Sequence, residues 1–286
     1  MNEVRIATRR SSLALAQAGR VADLLRALDS EIEVNLVEVD TAGDRDQVGS
    51  IAALTELGAF VRAVQRAVLD DRADLAVHSL KDLPVAGPED LAPPVFPERA
   101  SPFDVLVGST IDGLRPGALI GTGSPRRAAQ ILELRPDLRT TELRGNVDTR
   151  LRKVASGAAD AAVLAEAGLQ RLDKADLIAQ RLTVSEMVPA PGQGALAVEA
   201  RAGSRGADLA AGLDDTRLRT LLDAERDLLA DTGAGCRSAL GALATWDSGR
   251  IRFDAFVADD RGPRRATVHG ASPDEVVSEA RKELGL

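Results

Sequence analysis

ALIGTGSPRRAAQILEL (residues 118–134) reads as one α/β unit. ALIGT (118–122) is an apolar run of strand length. PRRAAQILEL (125–134) has a helical pattern opened by proline. The glycines between them let the backbone turn tightly. The free N–H groups of a first helical turn favour an anion. Arg126 and Arg127 carry guanidiniums that can grip a carboxylate with two parallel bonds. Taken alone, the turn fits either an anion site or an ordinary strand-to-helix turn with two solvated arginines. No G-x-x-x-x-G-K-[ST] pattern is present, so a P-loop has no support.

The same order recurs along the chain. VRIA (4–7) reads as a strand and SSLALAQAGRVADLLRAL (11–28) as an amphipathic helix, with Ser11 or Ser12 as candidate N-cap. IEVNLVEV (32–39) alternates like a strand, AFVRAVQRAVLDD (59–71) is helical, and DLAV (74–77) is the next strand. LRTTEL (138–143), VDTRLRKVASG (147–157) and DAAVLA (160–165) continue as strand, helix, strand. Such alternation argues for parallel α/β units. Residues 41–57 show no clear period. LPVAGPEDLAPPVFPERASP (83–102) carries six prolines and reads as a linker or crossover. PAPGQGALAVEA (189–200) is a Pro/Gly turn feeding a strand. The end differs: a helix (216–232), strand-like SALGALATW, IRFDAFVA and RRATVHG, and a helix near 273–284 suggest a small α+β domain.

A length of 286 residues allows two or three domains. A net charge of −8 argues against a nucleic-acid partner, and 2% aromatics leave few stacking platforms for bases. No apolar run reaches the roughly 18 residues a membrane span needs. The N-terminus, MNEVRIATRR, lacks a signal-peptide pattern. A single cysteine excludes an internal disulfide and fits a reducing compartment, so a cytoplasmic location is expected.

Arginine gathers at the strand-to-helix junctions. Arg9 and Arg10 stand beside Ser11, Arg126 and Arg127 follow Thr122 and Ser124, Arg144 and Arg150 flank a Gly-Asn turn, and Arg171 follows DAAVLA. In open α/β sheets the C-terminal strand ends face one crevice. Arginines converging there would prefer a substrate with many carboxylates or phosphates. In HSLKDLP (78–84), Lys81 and Asp82 lie side by side where the DLAV strand ends. DTGAGCRSALG (231–241) holds the lone Cys236, between glycines and Arg237. A lone cysteine fits a small buried hydrophobe. An open turn with a cation beside it fits an exposed thiol of lowered pKa. His78 and His269 show no spacing to it that suggests a protease pair or a metal site, and no metal is expected.

RIATRRSSLALAQ, DRADLAVHSLKDLP, GTGSPRRAAQI, LRGNVDTRL, VPAPGQGALAVE and GAGCRSALGALA, in that order through nearly the whole chain, resemble the porphobilinogen deaminase (hydroxymethylbilane synthase) family. The resemblance implies an α/β fold: two periplasmic-binding-protein-like α/β domains around a cleft plus a small α+β C-terminal domain. Domain 1 would hold residues 1–96 and 195–212, domain 2 residues 97–194, and domain 3 residues 213–286. It implies a transferase of tetrapyrrole (heme) biosynthesis that condenses four porphobilinogen molecules head to tail into linear hydroxymethylbilane, releasing ammonia. A dipyrromethane cofactor, joined by thioether to Cys236, would prime the chain. Asp82 would be the catalytic carboxylate. Arg9, Arg126, Arg127, Arg144, Arg150 and Arg171, with Ser11, Lys81, Thr122 and Ser124, would hold acetate and propionate groups. Gln17 and Phe60 match positions near the site, and residues 42–57 would form a mobile loop. The expected partner is porphobilinogen alone, with no nucleic acid and no membrane, and the expected state is a monomer.

Each pyrrole unit brings two carboxylates, which suits arginine-rich strand ends. Loss of ammonia leaves an azafulvenium cation, which a fixed carboxylate stabilises as it develops. Asp82 would do this while Lys81 and Pro84 hold it in place. Some positions depart from the family pattern. Leu57 stands at a frequent lysine, Phe103 at the arginine of Pro-Arg-Asp, Gly123 at a serine, and Ala239 at a proline. Two other readings remain: a non-catalytic two-lobed anion receptor, which gives Cys236 no role, and a thiol enzyme, which lacks an evident histidine partner.

Overall fold

Buried alternation and capped helices build the molecule. The computed structural model describes residues 3–40, 53–231 and 239–286. In chain order the elements are β1 (Glu3–Arg9), α1 (Ser12–Leu28), β2 (Glu33–Val39), α2 (Ala53–Leu69) and β3 (Leu75–Ser79). Next come β4 (Asp104–Val107), β5 (Leu119–Gly121), α3 (Pro125–Leu134), β6 (Arg139–Thr141), α4 (Val147–Ala155) and β7 (Ala161–Ala165). Then follow α5 (Glu166–Gln170), β8 (Ile178–Arg181), β9 (Leu196–Ala200), α6 (Arg205–Ala211) and α7 (Thr216–Asp231). β10 (Ala239–Asp247), β11 (Arg250–Asp259), β12 (Gly262–Gly270) and α8 (Pro273–Leu284) close the chain. The helices begin where side chains cap the backbone: Ser11 accepts from Ala14 N, Ser124 from Arg127 N and Asn146 from Thr149 N.

One compact unit comprises Met1–Arg99 and Ala195–Arg219. Its sheet runs β2-β1-β3-β9, with β1 parallel to β2 and β3, and β9 antiparallel to β3. Adjacent side chains on a strand face opposite ways. Ile6 therefore packs with Val21 and Leu25 of α1, while Ala7 packs with Val64 and Val68 of α2. The proline-rich stretch is not a loose linker. It runs beside β9 through bridges Leu91↔Arg201, Val95↔Val198 and Arg99↔Ala195, and buries Phe96.

A second unit comprises Ala100–Gly194 and Thr220–Leu286. It holds a five-stranded sheet, order β6-β5-β7-β4-β8, and the antiparallel meander β10-β11-β12. β5 is parallel to β6 and β7, whereas β4 runs antiparallel to both β7 and β8. Leu106, Ile120, Ile131 and Val163 centre the first core; Leu228, Phe253, Val276 and Leu284 centre the second. Ala242 N donates to Pro189 O at 2.9 Å, and Arg265 binds Glu133 at 2.8 Å, so the meander is tied to the sheet's own elements. The fold is thus mixed α/β with a small α+β part, as the sequence leads one to expect. β4, β8 and β9 add the antiparallel pairings that strand–helix alternation does not reveal.

Candidate active site

In the first unit the expected residues lie at the ends of β1 and β3. A 3-10 turn, Leu80–Asp82, follows β3 at once. Leu80 N donates to Ala195 O and Leu83 N to Leu80 O, both at 3.0 Å. The Leu80 and Leu83 side chains, 1% and 3% exposed, pin the turn from either side. Asp82 between them is half-buried. Among the described residues, no hydrogen bond or ion pair engages its carboxylate. Gln17 on α1 is buried and donates from Nε2 to Ser79 Oγ at 2.7 Å, which fixes the residue that opens the turn. Arg9 ends β1 with its guanidinium carbon 4.0 Å from the Phe60 ring centroid, a cation–π distance. Ser11 spends its hydroxyl on the α1 cap, and Lys81 is half-buried beside Asp82. Behind β3, a buried cluster escaped notice in the sequence. Gln65 Nε2 donates to both oxygens of Glu199, and His78 Nε2 lies 3.0 Å from Glu199 Oε2 without hydrogen-bond angles.

In the second unit Arg126 and Arg127 are neither solvated nor free. Both are buried against Asp104, which is 0% exposed. Arg126 Nη1 donates to Asp104 Oδ2 at 2.8 Å and to Val188 O at 2.6 Å. Arg127 donates from Nε and Nη2 to Asp104 Oδ1 and from Nη1 to Val163 O. Gln193 Nε2 donates to the same Oδ1 at 3.1 Å. Burial alone would push the Asp104 carboxyl up; the Arg126 and Arg127 charges and the hydrogen bonds from Arg126 and Gln193 outweigh it and hold the pKa at about 2. Two cations share one anion, so the cluster keeps a net positive charge. Among the described residues, Nε and Nη2 of Arg126 take no protein acceptor.

The remaining expected residues stand at the same strand ends. Thr122, just past β5, is buried and accepts from Ser124 N at 3.1 Å. Ser124 caps α3. Arg144 is exposed past β6, with Nε on Glu142 at 2.7 Å. Arg150 on α4 donates to Gly145 O at 2.8 Å. Arg171 closes α5 and donates to Gly194 O at 2.8 Å. Gly194 has φ +87, and a Cβ there would meet Ala100 O at 2.5 Å, so the turn before β9 requires glycine. Asp104, Gln193 and Arg181 were not anticipated; the available signals were the Asp after Phe103 and the Gln within the VPAPGQGALAVE motif. Cys236 and residues 42–52 of the expected loop lie outside the described residues, whereas from Ala53 the backbone is already α2.

The fold is that of an α/β protein: each unit carries guanidiniums near its strand ends, and in the first unit the Asp82 carboxylate has no hydrogen-bond partner among the described residues. The family model for porphobilinogen deaminase, dipyromethane cofactor binding domain, matches residues 4–208. The chain is 43% identical over 270 residues to porphobilinogen deaminase of Acidothermus cellulolyticus, covering 92% of this chain and 81% of that one. It is 42% identical to that of Stenotrophomonas maltophilia, covering 98% and 94%, and 48% identical to that of Mycobacterium avium, covering 84% and 76%. Among solved structures, the BenM effector binding domain shares 13% identity at a TM-score of 0.42, covering 81% of this chain and 93% of that one. The chain belongs to the porphobilinogen deaminase family of transferase enzymes, and its residues 4–208 are the family's dipyrromethane-binding domain.

Proposed function

We propose that this chain condenses four porphobilinogen molecules head to tail into hydroxymethylbilane, with loss of ammonia, on a dipyrromethane joined to Cys236 by thioether. The observation that carries the reading is Asp82 in a chain of this family: a half-buried carboxylate on a pinned turn, uncommitted among the described residues. A dipyrromethane bears carboxylates on each ring. Arg126, buried with donors to spare, and Arg144, Arg150 and Arg171 fit it chemically. When bound, it supplies the pyrrole carbon from which the chain grows. Thr122 and Ser124 line the same strand end. Arg9 over Phe60, with Ser11, Gln17 and Lys81, completes the binding set in the first unit.

Asp82 accepts from a substrate pyrrole N–H and holds its negative charge where positive charge develops. As the substrate's C–N bond breaks, ammonia departs and the cation left behind is stabilised by that charge. Asp82 can take the proton lost from the carbon that forms the new bond and pass it to the next leaving amine, which restores the carboxylate. The reading includes three domains, 1–96 with 195–212, 97–194 and 213–286. It also includes a monomer acting in the cytoplasm without a nucleic-acid or membrane partner. No helix among the described residues is long and apolar enough to cross a membrane.

The test is product formation from porphobilinogen by Asp82→Asn and Asp82→Glu. Asparagine removes the charge, so turnover should fall by about 10²–10³, the scale of losing one preorganised electrostatic group. Glutamate keeps the charge one methylene away and should retain slow turnover. Circular dichroism should show both variants folded. Asparagine with most of the activity would assign Asp82 a purely structural role.

A further inference from the structure

One turn of the second unit, PGQG (191–194), meets both the arginine cluster and the elements on either side of Cys236 in sequence. On one side lie the guanidiniums. Gln193 is buried and donates from Nε2 to Asp104 Oδ1, the oxygen that also accepts from Arg127 Nε and Nη2. Gly194 O accepts from Arg171 Nη2 at 2.8 Å, and Val188 O, just before the turn, from Arg126 Nη1 at 2.6 Å. On the other side lies Glu225 of α7, 0% exposed. Its Oε2 accepts from Gly192 N at 2.7 Å and its Oε1 from Ala244 N of β10 at 2.9 Å. One buried carboxylate therefore ties together the turn, α7 and β10. In sequence α7 ends at Asp231 and β10 begins at Ala239, and Cys236 falls between them.

The chemistry proposed above gives Glu225 no part, and burying a carboxylate is costly unless its hydrogen bonds are needed. We propose that Glu225 is a positioning residue: it sets the two ends of the Cys236 segment in register with the guanidiniums that receive the cofactor's carboxylates. The proposal rests on the covalent dipyrromethane argued above. A group joined at one end and gripped by its carboxylates elsewhere meets both partners only if the attachment and the guanidiniums keep a fixed spacing. Bonds from backbone N–H groups to a carboxylate are shorter and stronger than neutral ones, so the turn, the helix and the strand resist sliding past one another. The spacing is set before the cofactor arrives, so less ordering is needed on binding. Ala242 N, which donates to Pro189 O at 2.9 Å, is a separate tie that Glu225 variants keep.

The test follows cofactor loading. Full-length chain is made in cells that cannot form porphobilinogen, porphobilinogen is then added, and intact mass records the gain of dipyrromethane with time. Melting temperature is read alongside. Glu225→Gln keeps the size but turns an amide N–H toward a backbone N–H, so one tie is lost. Glu225→Asp keeps the charge but is one methylene short of spanning both donors. Val276→Ala, in the core that α7 shares with the meander, lowers the melting temperature and leaves the ties intact. The half-time of loading should lengthen about tenfold in both Glu225 variants, the scale of one hydrogen bond to a charged group. It should match wild type in Val276→Ala. Should Glu225→Gln not fold, Glu225→Asp carries the test, with its fold checked by circular dichroism. Wild-type loading in a folded Glu225 variant would overturn the proposal. So would equal slowing in Val276→Ala, which would show that Glu225 only stabilises the fold. A wild-type chain that gains no dipyrromethane mass would instead overturn the underlying functional reading, and this proposal with it.

Discussion

Asp104 shows how one residue sets the behaviour of its neighbours. Its two guanidinium partners are buried with it, so the cluster persists only while the carboxyl is ionised. Its folded pKa of about 2 lies below the ordinary aspartate value of about 3.9. The stabilisation is therefore complete above about pH 4 and is lost as pH falls through about 2. A gap of nearly two units corresponds to about 2–3 kcal/mol. Asp104→Asn leaves two buried cations without their anion and should cost about 3–5 kcal/mol in urea unfolding at pH 7. Between pH 4 and 2 the wild type should lose stability faster than the variant. Equal stability of the two proteins at every pH would show that the arginines do not depend on Asp104. The motif GTGSPRRAA revealed the arginines but not this partner. Asp104 is 22 residues from Arg126 in sequence, and only the antiparallel entry of β4 brings them together.

At the scale of elements, the same substitution should act oppositely at two glycines. Gly241 in β10 sits against the turn before β9, and a Cβ there would come within 2.8 Å of Val188 O and 3.0 Å of Pro189 O. Gly241→Ala must push backbone apart and should destabilise by about 1–3 kcal/mol. Gly19 lies within α1 with nothing within 4 Å of a Cβ. Gly19→Ala should stabilise by about 0.5–1 kcal/mol through helix propensity and a less flexible unfolded chain. Thermal melts should move down for the first and up for the second; a shift of the same sign in both would refute the packing argument. Long elements were legible because their patterns repeat: α1 and α8 match the sequence spans closely, and so does the closing meander. β4 and β8, of four residues each, are too short to show a period. The prolines at 83–102 signalled a break, yet proline leaves carbonyls free to accept, and the stretch pairs along β9.

At the scale of the whole molecule, the sequence motifs, the mixed α/β sheets and the family match over residues 4–208 agree on one kind of enzyme. The strand-end residues were legible because each motif fixes a residue at the end of a regular element. The depth at which Arg126 and Arg127 lie was not, because burial depends on strand pairings that no single motif encodes. Covalent priming on Cys236 is the central claim about the working protein, and intact mass spectrometry tests it most directly. Purified active chain should weigh more than its sequence by one dipyrromethane and colour with Ehrlich's aldehyde reagent, while Cys236→Ala should lose the added mass, the colour and product formation together. Active wild-type protein at its bare sequence mass, or a Cys236→Ala chain that keeps the adduct, would contradict the account.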